Sequence, residues 1–564
     1  MLHRLALFGL ALAASGAGVP PIPSEPPADF AIVNGRVYTA DGRGTVAEAL
    51  AVRGNRIAAV GTAAEIRALT GERTIVVDAR GGSVLPGFHD AHIHFLSGGL
   101  SLDEANLLDA LTLEQVVRTI SDFAATRRER PWVVGRGWFY AVFPGNLPTR
   151  QQLDDAVPDR PAYMECYDGH TGWANTRALK LAGITRETPD PKNGEIVRDA
   201  TGEPTGVLKE AATELVTRLL PKPSREDRLR ALHAAMREAN RFGITSVQNA
   251  TGAADEFELY DALRRSGEMT VRVSSALTIE PGFSEADRAR FDAVRRRYPD
   301  DPWFRAGAVK LFADGVIEAF TAAMLEPYAT RATTGLPNYT PDELDRIVGT
   351  MDREAWQIFI HAIGDRGVRM ALDALERAAS RNPAPARGRR HRVEHIETID
   401  PIDVSRFGAL GVIASMQPYH GTPTPNQASV WSGNIGPARA SRAWAYGSID
   451  KAGGRLAFGS DWPVVSLDPR IGMHVATTRT TLDGKPEGGW LPGERLPLAR
   501  VIDAYTRDGA WATFSEHRTG SLTPGLLADL VLMEENLFAT PPGRLPKVPV
   551  RMTVVDGRIV YQSQ

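Results

Sequence analysis

The chain has 564 residues, enough for a large core and more than one structural unit, although an α/β barrel with insertions can absorb most of that length. Its 65 Lys and Arg nearly cancel its 68 Asp and Glu, which argues against a nucleic-acid or anionic-membrane surface and leaves a small molecule as the expected partner. The single cysteine, Cys166, has no partner for an internal disulfide and says little about compartment.

At the N-terminus Arg4 precedes an apolar stretch, residues 5–14, and then small residues at 15–18. That run is too short to span a bilayer and has the form of a cleaved signal peptide over residues 1–18. A secreted or periplasmic mature chain without stable membrane insertion is therefore expected, with an uncleaved leader on a cytoplasmic protein as the alternative. After a proline-rich linker, residues 19–27, come the alternating apolar segments AIVNGRVYTA, ALAVRGNRIAAVG and TIVVDARGGSVLPG. Asn34-Gly35 and Gly54-Asn55 are hairpin signals within them. A matching set, ADLVLME and VRMTVVDGRIVYQ, lies near the other end, with Asp556-Gly557 as a further hairpin. Half-sheets from opposite ends of a chain bury their apolar faces by pairing, which predicts one small composite β-sandwich from residues 28–84 and 516–564.

Between them, over residues 85–515, short apolar strands alternate with helical patterns. The strand candidates in order are LPGFHDAHIH, GITSVQNA, VRVSSAL, AVKLFADG, IFIHAIGD, RVEHIE, VIASMQPYH and LAFGSDWP. Eight such units close a (β/α)8 TIM-like barrel. The long gap after the first strand, residues 95–241, holds helical stretches and the segment YMECYDGHTGWANTRAL, and reads as an insertion that caps the barrel mouth.

His92 and His94 are spaced by one residue, so on a strand they point the same way, and two neutral imidazoles can grip one divalent cation. Two histidines on an exposed strand are the alternative for that pair alone. In a barrel, polar residues at the carboxyl ends of the strands converge on one cleft. Lys310 in the fourth strand, His361 in the fifth, His395 in the sixth and Asp461 after the eighth all satisfy this rule. Taken singly, Lys310 also suits an ion pair with Asp314, and the run Ser460-Asp461-Trp462-Pro463 also suits a helix cap. His89 differs in parity from His92 and should face away from the cleft. His420 follows the seventh strand and is a weaker candidate for a substrate contact.

Together LPGFHDAHIH, DGHTGWANTRAL, GEPTGVLKE, VKLFADG, IHAIGD, VEHIE, GSDWPV and GSLTPGLLADLVLME make the chain resemble the metal-dependent amidohydrolase superfamily over nearly its whole mature length. More narrowly it resembles the amidohydrolase family 3, or YtcJ-like, branch that includes N-substituted formamide deformylase. The resemblance implies a divalent metal centre, usually two Zn²⁺, with His92 and His94 on one ion, His361 and His395 on the other, and a carboxylated Lys310 bridging them. It implies that Asp461 ligates the metal and serves as general base, and that a metal-bound hydroxide cleaves a non-peptide C–N bond in an amide, N-formyl or N-acyl substrate. His170, in the capping insertion, is a candidate catalytic oxyanion donor or substrate contact; Trp138 and Tyr167 are candidates for an apolar substrate pocket, although aromatics equally belong in cores. A deaminase of a heterocyclic imine would use the same water activation but usually one metal, with no need of a lysine bridge. A catalytically silent periplasmic binding protein fits poorly, because no expected ligand or base is missing. The exact substrate is left open, as is a homo-oligomeric state.

Overall fold

Eight parallel strands occur in chain order around a barrel: β1 (Phe88–Ile93), β2 (Ile244–Gly252), β3 (Arg272–Thr278), β4 (Phe304–Phe312), β5 (Gln357–Ala362), β6 (Arg392–His395), β7 (Ile413–Met416) and β8 (Arg455–Phe458). They are seen in a computed structural model that describes residues 26–563, so the expected leader and its cleavage point lie outside the described residues. Each strand coincides with one of the eight apolar segments. Strands covered on both faces need continuous apolar sequence, and β1, β5, β6 and β7 are buried at every position. The ring meets beyond the ends of β1 and β8, where the Asp461 amide donates to the His92 carbonyl at 2.7 Å and the His94 amide to the Trp462 carbonyl at 2.9 Å. Among the described residues no helix is long and apolar enough to cross a membrane.

The segment after β1 has the expected helical stretches, Leu113–Thr126 and Arg150–Ala156 among them, and more besides. It contains a six-stranded mixed sheet, in spatial order Gly194–Arg198, Pro204–Glu210, Thr171–Ala174, Ala162–Cys166, Val133–Trp138 and Ala105–Asn106. One of its cores, with Trp138, Tyr140, Phe143 and Trp173, also contains Val464 and Val465 from the loop after β8, which docks the sheet on the barrel. The helix Arg225–Arg241, which the sequence reading placed in the insertion, belongs to the barrel wall. Its stripe of Ala231, Leu232, Ala235, Met236 and Ala239 is buried in the main core, and Ser224 and Asp227 cap it reciprocally.

Two small sheets stand apart from the barrel strands. In one, Ser83–Pro86 pairs antiparallel with Leu530–Met533, so segments from the two ends of the chain are neighbours. The other runs in the order Arg56–Gly61, Ala49–Arg53, Phe30–Val33 and Ile75–Asp78. Phe30, Ile32 and Leu50 from the latter share a buried cluster with Val84, Leu530 and Leu532 from the former. Gly54-Asn55 and Asp556-Gly557 do join antiparallel neighbours. Asn34-Gly35 does not: Phe30–Val33 and Arg36–Tyr38 lie in different sheets, and the left-handed Asn34 (φ 56°) turns the chain across from one to the other.

Gly459 sits where the ring meets. A Cβ there would run into the His92 amide nitrogen and would lie 2.7 Å from Asp90 Oδ1, with backbone on one side and an anchored carboxylate on the other. Gly459→Ala is expected to destabilise the protein by about 1–3 kcal/mol, the usual range for overpacking a closed interior. A lowered urea midpoint checks this, and an unchanged midpoint would mean that the seam can open without cost.

Candidate metal centre

The carboxyl ends of the barrel strands bring together all six of the metal-ligand candidates. His92 Nδ1 lies 2.6 Å from Glu394 Oε2 and His94 Nδ1 2.7 Å from Thr251 Oγ1, so each ring is held at one nitrogen and offers Nε2 inward. Those two Nε2 atoms lie 3.5 and 3.0 Å from Asp461 Oδ1. The His395 ring is 4.7 Å from that of His92 and 4.6 Å from that of His361, centroid to centroid, and its Nδ1 faces Gln417 Oε1 at 2.9 Å. His361 Nε2 faces the Gly315 carbonyl at 3.2 Å, which leaves Nδ1 as its free nitrogen. His395 (φ 72°) and Asp461 (φ 62°) both sit in the left-handed region, a strained backbone that redirects each side chain at its strand end.

The electrostatics suit cation binding. Burial, together with nearby Lys310, pulls His92 down to about 4, and burial holds His361 and His395 well below the usual histidine range. All three rings are thus neutral, as ligation requires. Burial works against the Asp461 carboxylate, yet His92, His94 and His395 keep it ionised well below its ordinary range. Burial lowers Lys310 to about 8, so a fraction of its amine is neutral near neutral pH.

Three buried atoms test whether these residues fit a metal. His92 Nε2, Lys310 Nζ and Asp461 Oδ1 have no hydrogen-bond partner. Buried polar atoms are ordinarily satisfied, and two of these three are typical ligand atoms, so the group fits a divalent centre. His92, His395 and Asp461 alone place ligand atoms within 4.8 Å of one another.

A small cavity opens on the group, with His94, Lys310, His361, His395 and Asp461 on its barrel side. Tyr167 and His170 reach it from the inserted sheet, and His420 from a turn at Pro418–Gly421, beyond the end of β7. His170 Nδ1 lies 2.9 Å from Glu210 Oε2; burial opposes its charge, but Glu210 and Asp168 raise it to about 9, making it an imidazolium at neutral pH. Trp138 is not a pocket residue. It is fully buried in the core of the inserted sheet, with Nε1 donating to the Met164 carbonyl at 3.0 Å, because the strand that carries it is covered on both faces. Asp314 is not a partner for Lys310 either: it accepts backbone N–H groups of Ile363, Gly364 and Ala323 and so pins the turn after β5. His89 lines a separate cavity with Ser246 and Arg272.

Two residues that the sequence reading passed over hold the site. Arg392, fully buried, donates from Nε to Glu394 Oε1 at 2.7 Å and from Nη2 to Glu394 Oε2 at 2.8 Å, and Glu394 in turn bonds His92. Burial resists the Glu394 charge, but Arg392 and His92 hold it far below the carboxylate range. Two opposite charges two residues apart inside an apolar strand, RVEH, were the available signal.

A parallel barrel with an HxH strand, a lysine, two further histidines and an aspartate at one rim defines a metal-dependent hydrolase. The amidohydrolase family profile matches residues 75–561, and the chain belongs to that family. It is 32% identical over 521 residues to Protein LONG AFTER FAR-RED 3 of Arabidopsis thaliana, 90% of this chain and 88% of that one. It is 29% identical to the putative amidohydrolase YtcJ of Bacillus subtilis, covering 94% of this chain and 98% of the relative. It is also 29% identical to the N-substituted formamide deformylase of Arthrobacter pascens, covering 95% and 98%. An uncharacterized metal-dependent hydrolase from Pyrococcus horikoshii OT3 shares the fold, with a TM-score of 0.70 at 24% identity over 91% of this chain and 99% of that one.

Glu394→Gln removes the charge behind His92 while keeping its shape. Metal affinity is expected to fall about 10- to 100-fold, the usual effect of losing such a support. Titration against a competing chelator checks this; affinity equal to wild type would show that Glu394 only packs the barrel.

Proposed function

We propose that this hydrolase cleaves amides or N-substituted formamides to a carboxylic acid and an amine at a two-zinc centre. The observation that carries the reading is the gathering of His92, His395 and Asp461 ligand atoms within 4.8 Å of one another, beside a cavity that Lys310, His395 and Asp461 line. His92, His94 and Asp461 would hold one ion, His361 and His395 the second, and Lys310 would bridge them. A buried neutral amine adds carbon dioxide to form a carbamate and a proton, and the neutral fraction of Lys310, together with its lack of a hydrogen-bond partner, supports that step. When bound, divalent cations polarise the substrate carbonyl and bring the pKa of water towards neutrality.

The chain's own groups do the rest. Asp461 accepts the proton of the attacking water as the new C–O bond forms, then passes it to the leaving nitrogen as the C–N bond breaks. His170, held as an imidazolium by Glu210, donates to the carbonyl oxygen as negative charge develops there. His420 Nε2, buried without a partner, faces Asp461 Oδ2 at 3.8 Å and contacts the substrate on the same side. Tyr167 lines the same cavity. The sequence of the relative that is a formamide deformylase supports the formyl group as one acceptable acyl part. We further read the two small sheets as one composite β-sandwich, residues 1–18 as an export signal, and a homo-oligomer as compatible with the fold; N-terminal sequencing and light scattering of the secreted protein test the last two.

Removing the metal with a chelator should abolish formamide turnover, and zinc should restore it. Asp461→Asn is expected to lower kcat by about 10²- to 10⁴-fold, the range for a lost general acid–base group. Activity close to wild type would remove Asp461 from the proton path. Lys310→Ala should halve the bound zinc, with partial recovery on adding a short carboxylic acid; unchanged stoichiometry would contradict the bridge.

A further inference from the structure

Three acidic side chains in the same cavity have no part in the steps above: Asp168, Glu318 and Glu397. Glu318 follows β4, Glu397 follows β6 and Asp168 comes from the inserted sheet, so three separate segments deliver carboxylates to one place. Glu318 and Glu397 are only 6% and 8% exposed. Tyr167 donates its hydroxyl to Glu318 Oε1, and Asn426 Nδ2 donates to the same oxygen at 3.1 Å. Trp431 Nε1 donates to Glu397 Oε2 at 2.6 Å, and the Tyr140 hydroxyl to Asp168 Oδ2 at 2.9 Å.

All of these donors are neutral, and those on Glu318 and Glu397 use one oxygen of each carboxylate. Among the described residues none of the three carboxylates forms an ion pair with a lysine or arginine, and the charge that favours ionised Asp168 comes from His170. The other buried acids around the site are satisfied differently: Glu394 by Arg392, Glu210 by His170, Asp314 by backbone amides. Burying acids together without a cation is unfavourable; burial and nearby Asp168 push Glu318 up to about 7. Asp168 already has His170 beside it, so a cation entering the cavity would relieve that conflict chiefly at Glu318 and Glu397. Tyr167, which lines the cavity and packs against Phe139 with centroids 4.7 Å apart, adds an aromatic wall of the kind that stabilises desolvated cations. His420 Nε2, buried and unpartnered on the same cavity, shows that the space is built for a polar occupant.

We infer that Asp168, Glu318 and Glu397 form a cation subsite beside the metal centre, and that the substrate is an amide bearing a second, positively charged nitrogen, an ammonium or guanidinium group. The inference rests on the reading of this cavity as the site of C–N hydrolysis. The subsite faces the same space as Lys310 and Asp461, so the cation and the scissile carbonyl belong to one small molecule. Glu318 and Glu397 are thus specificity residues and take no part in bond breaking.

Two measurements on the zinc-loaded full chain test it. The first is calorimetric binding of choline against its neutral isostere, in which carbon replaces the quaternary nitrogen; neither can ligate metal through that centre. Choline should bind about tenfold or more tightly, and Glu318→Gln and Glu397→Gln should each pull the ratio towards one. The second is kcat/KM for N-aminobutylformamide against N-butylformamide, where the cationic substrate should be preferred and both variants should erode the preference. Equal affinity for choline and its isostere, or a preference that survives both substitutions, overturns the subsite even where both formamides are hydrolysed. A choline preference that depends on the two glutamates, with neither formamide turned over, supports the subsite and counts against the hydrolytic reading instead.

Discussion

The site depends on the seam where the first and last barrel strands meet. The hydrogen bonds from the Asp461 amide to the His92 carbonyl and from the His94 amide to the Trp462 carbonyl join the two ends of the sheet. They also set the Asp461 carboxylate beside both imidazoles of the HxH pair, although 366 residues lie between His94 and Asp461 in the chain. Asp90 reinforces the joint, because its Oδ1 accepts the amides of both His92 and Ser460. Packing at Gly459, with room for hydrogen alone, keeps the two strands that close. A looser closure would leave two half-sites in place of one.

A second constraint is charge. The centre gathers four histidines, a lysine and an aspartate out of water, and that arrangement is stable only when each group is neutralised or held. Glu394 and Arg392 do this below the centre: the arginine fixes the carboxylate, the carboxylate fixes one imidazole nitrogen, and the other nitrogen is aimed at the cavity. Gln417 and Thr251 play the uncharged version of that role for His395 and His94. The cavity wall built by the inserted sheet is different in kind. There Glu210 and Asp168 share His170, while Glu318 and Glu397, from the loops after β4 and β6, have only neutral donors, and we read that contrast as separating residues that hold the centre from residues that meet the substrate.

Much of this was legible in the residues alone, for physical reasons. Parallel strands buried on both faces must be continuous apolar runs, so all eight barrel strands stood out, and the polar residues interrupting or ending those runs were the ones gathered at the rim. Parity placed His92 and His94 together and turned His89 away. What stayed hidden depends on tertiary context. The sheet within the insertion was not read at all, because its strands are short and interleaved with helices such as Leu113–Thr126. Asn34-Gly35 has the composition of a hairpin, but the strands it joins pair with other partners. Trp138 has the chemistry of a pocket lining and the surroundings of a core. Glu394, Glu318 and Glu397 are ordinary glutamates in the sequence, and only their burial and neighbours distinguish them.

The central proposal is that two zinc ions sit among these six side chains. Anomalous diffraction from crystals of the zinc-loaded protein, recorded at the zinc edge, measures it directly. The account predicts two peaks in one cavity, one in contact with His92, His94 and Asp461 and the other with His361 and His395, both touching a carboxylated Lys310. Zinc bound elsewhere, or a cavity that excludes it while the protein still hydrolyses amides, would contradict it.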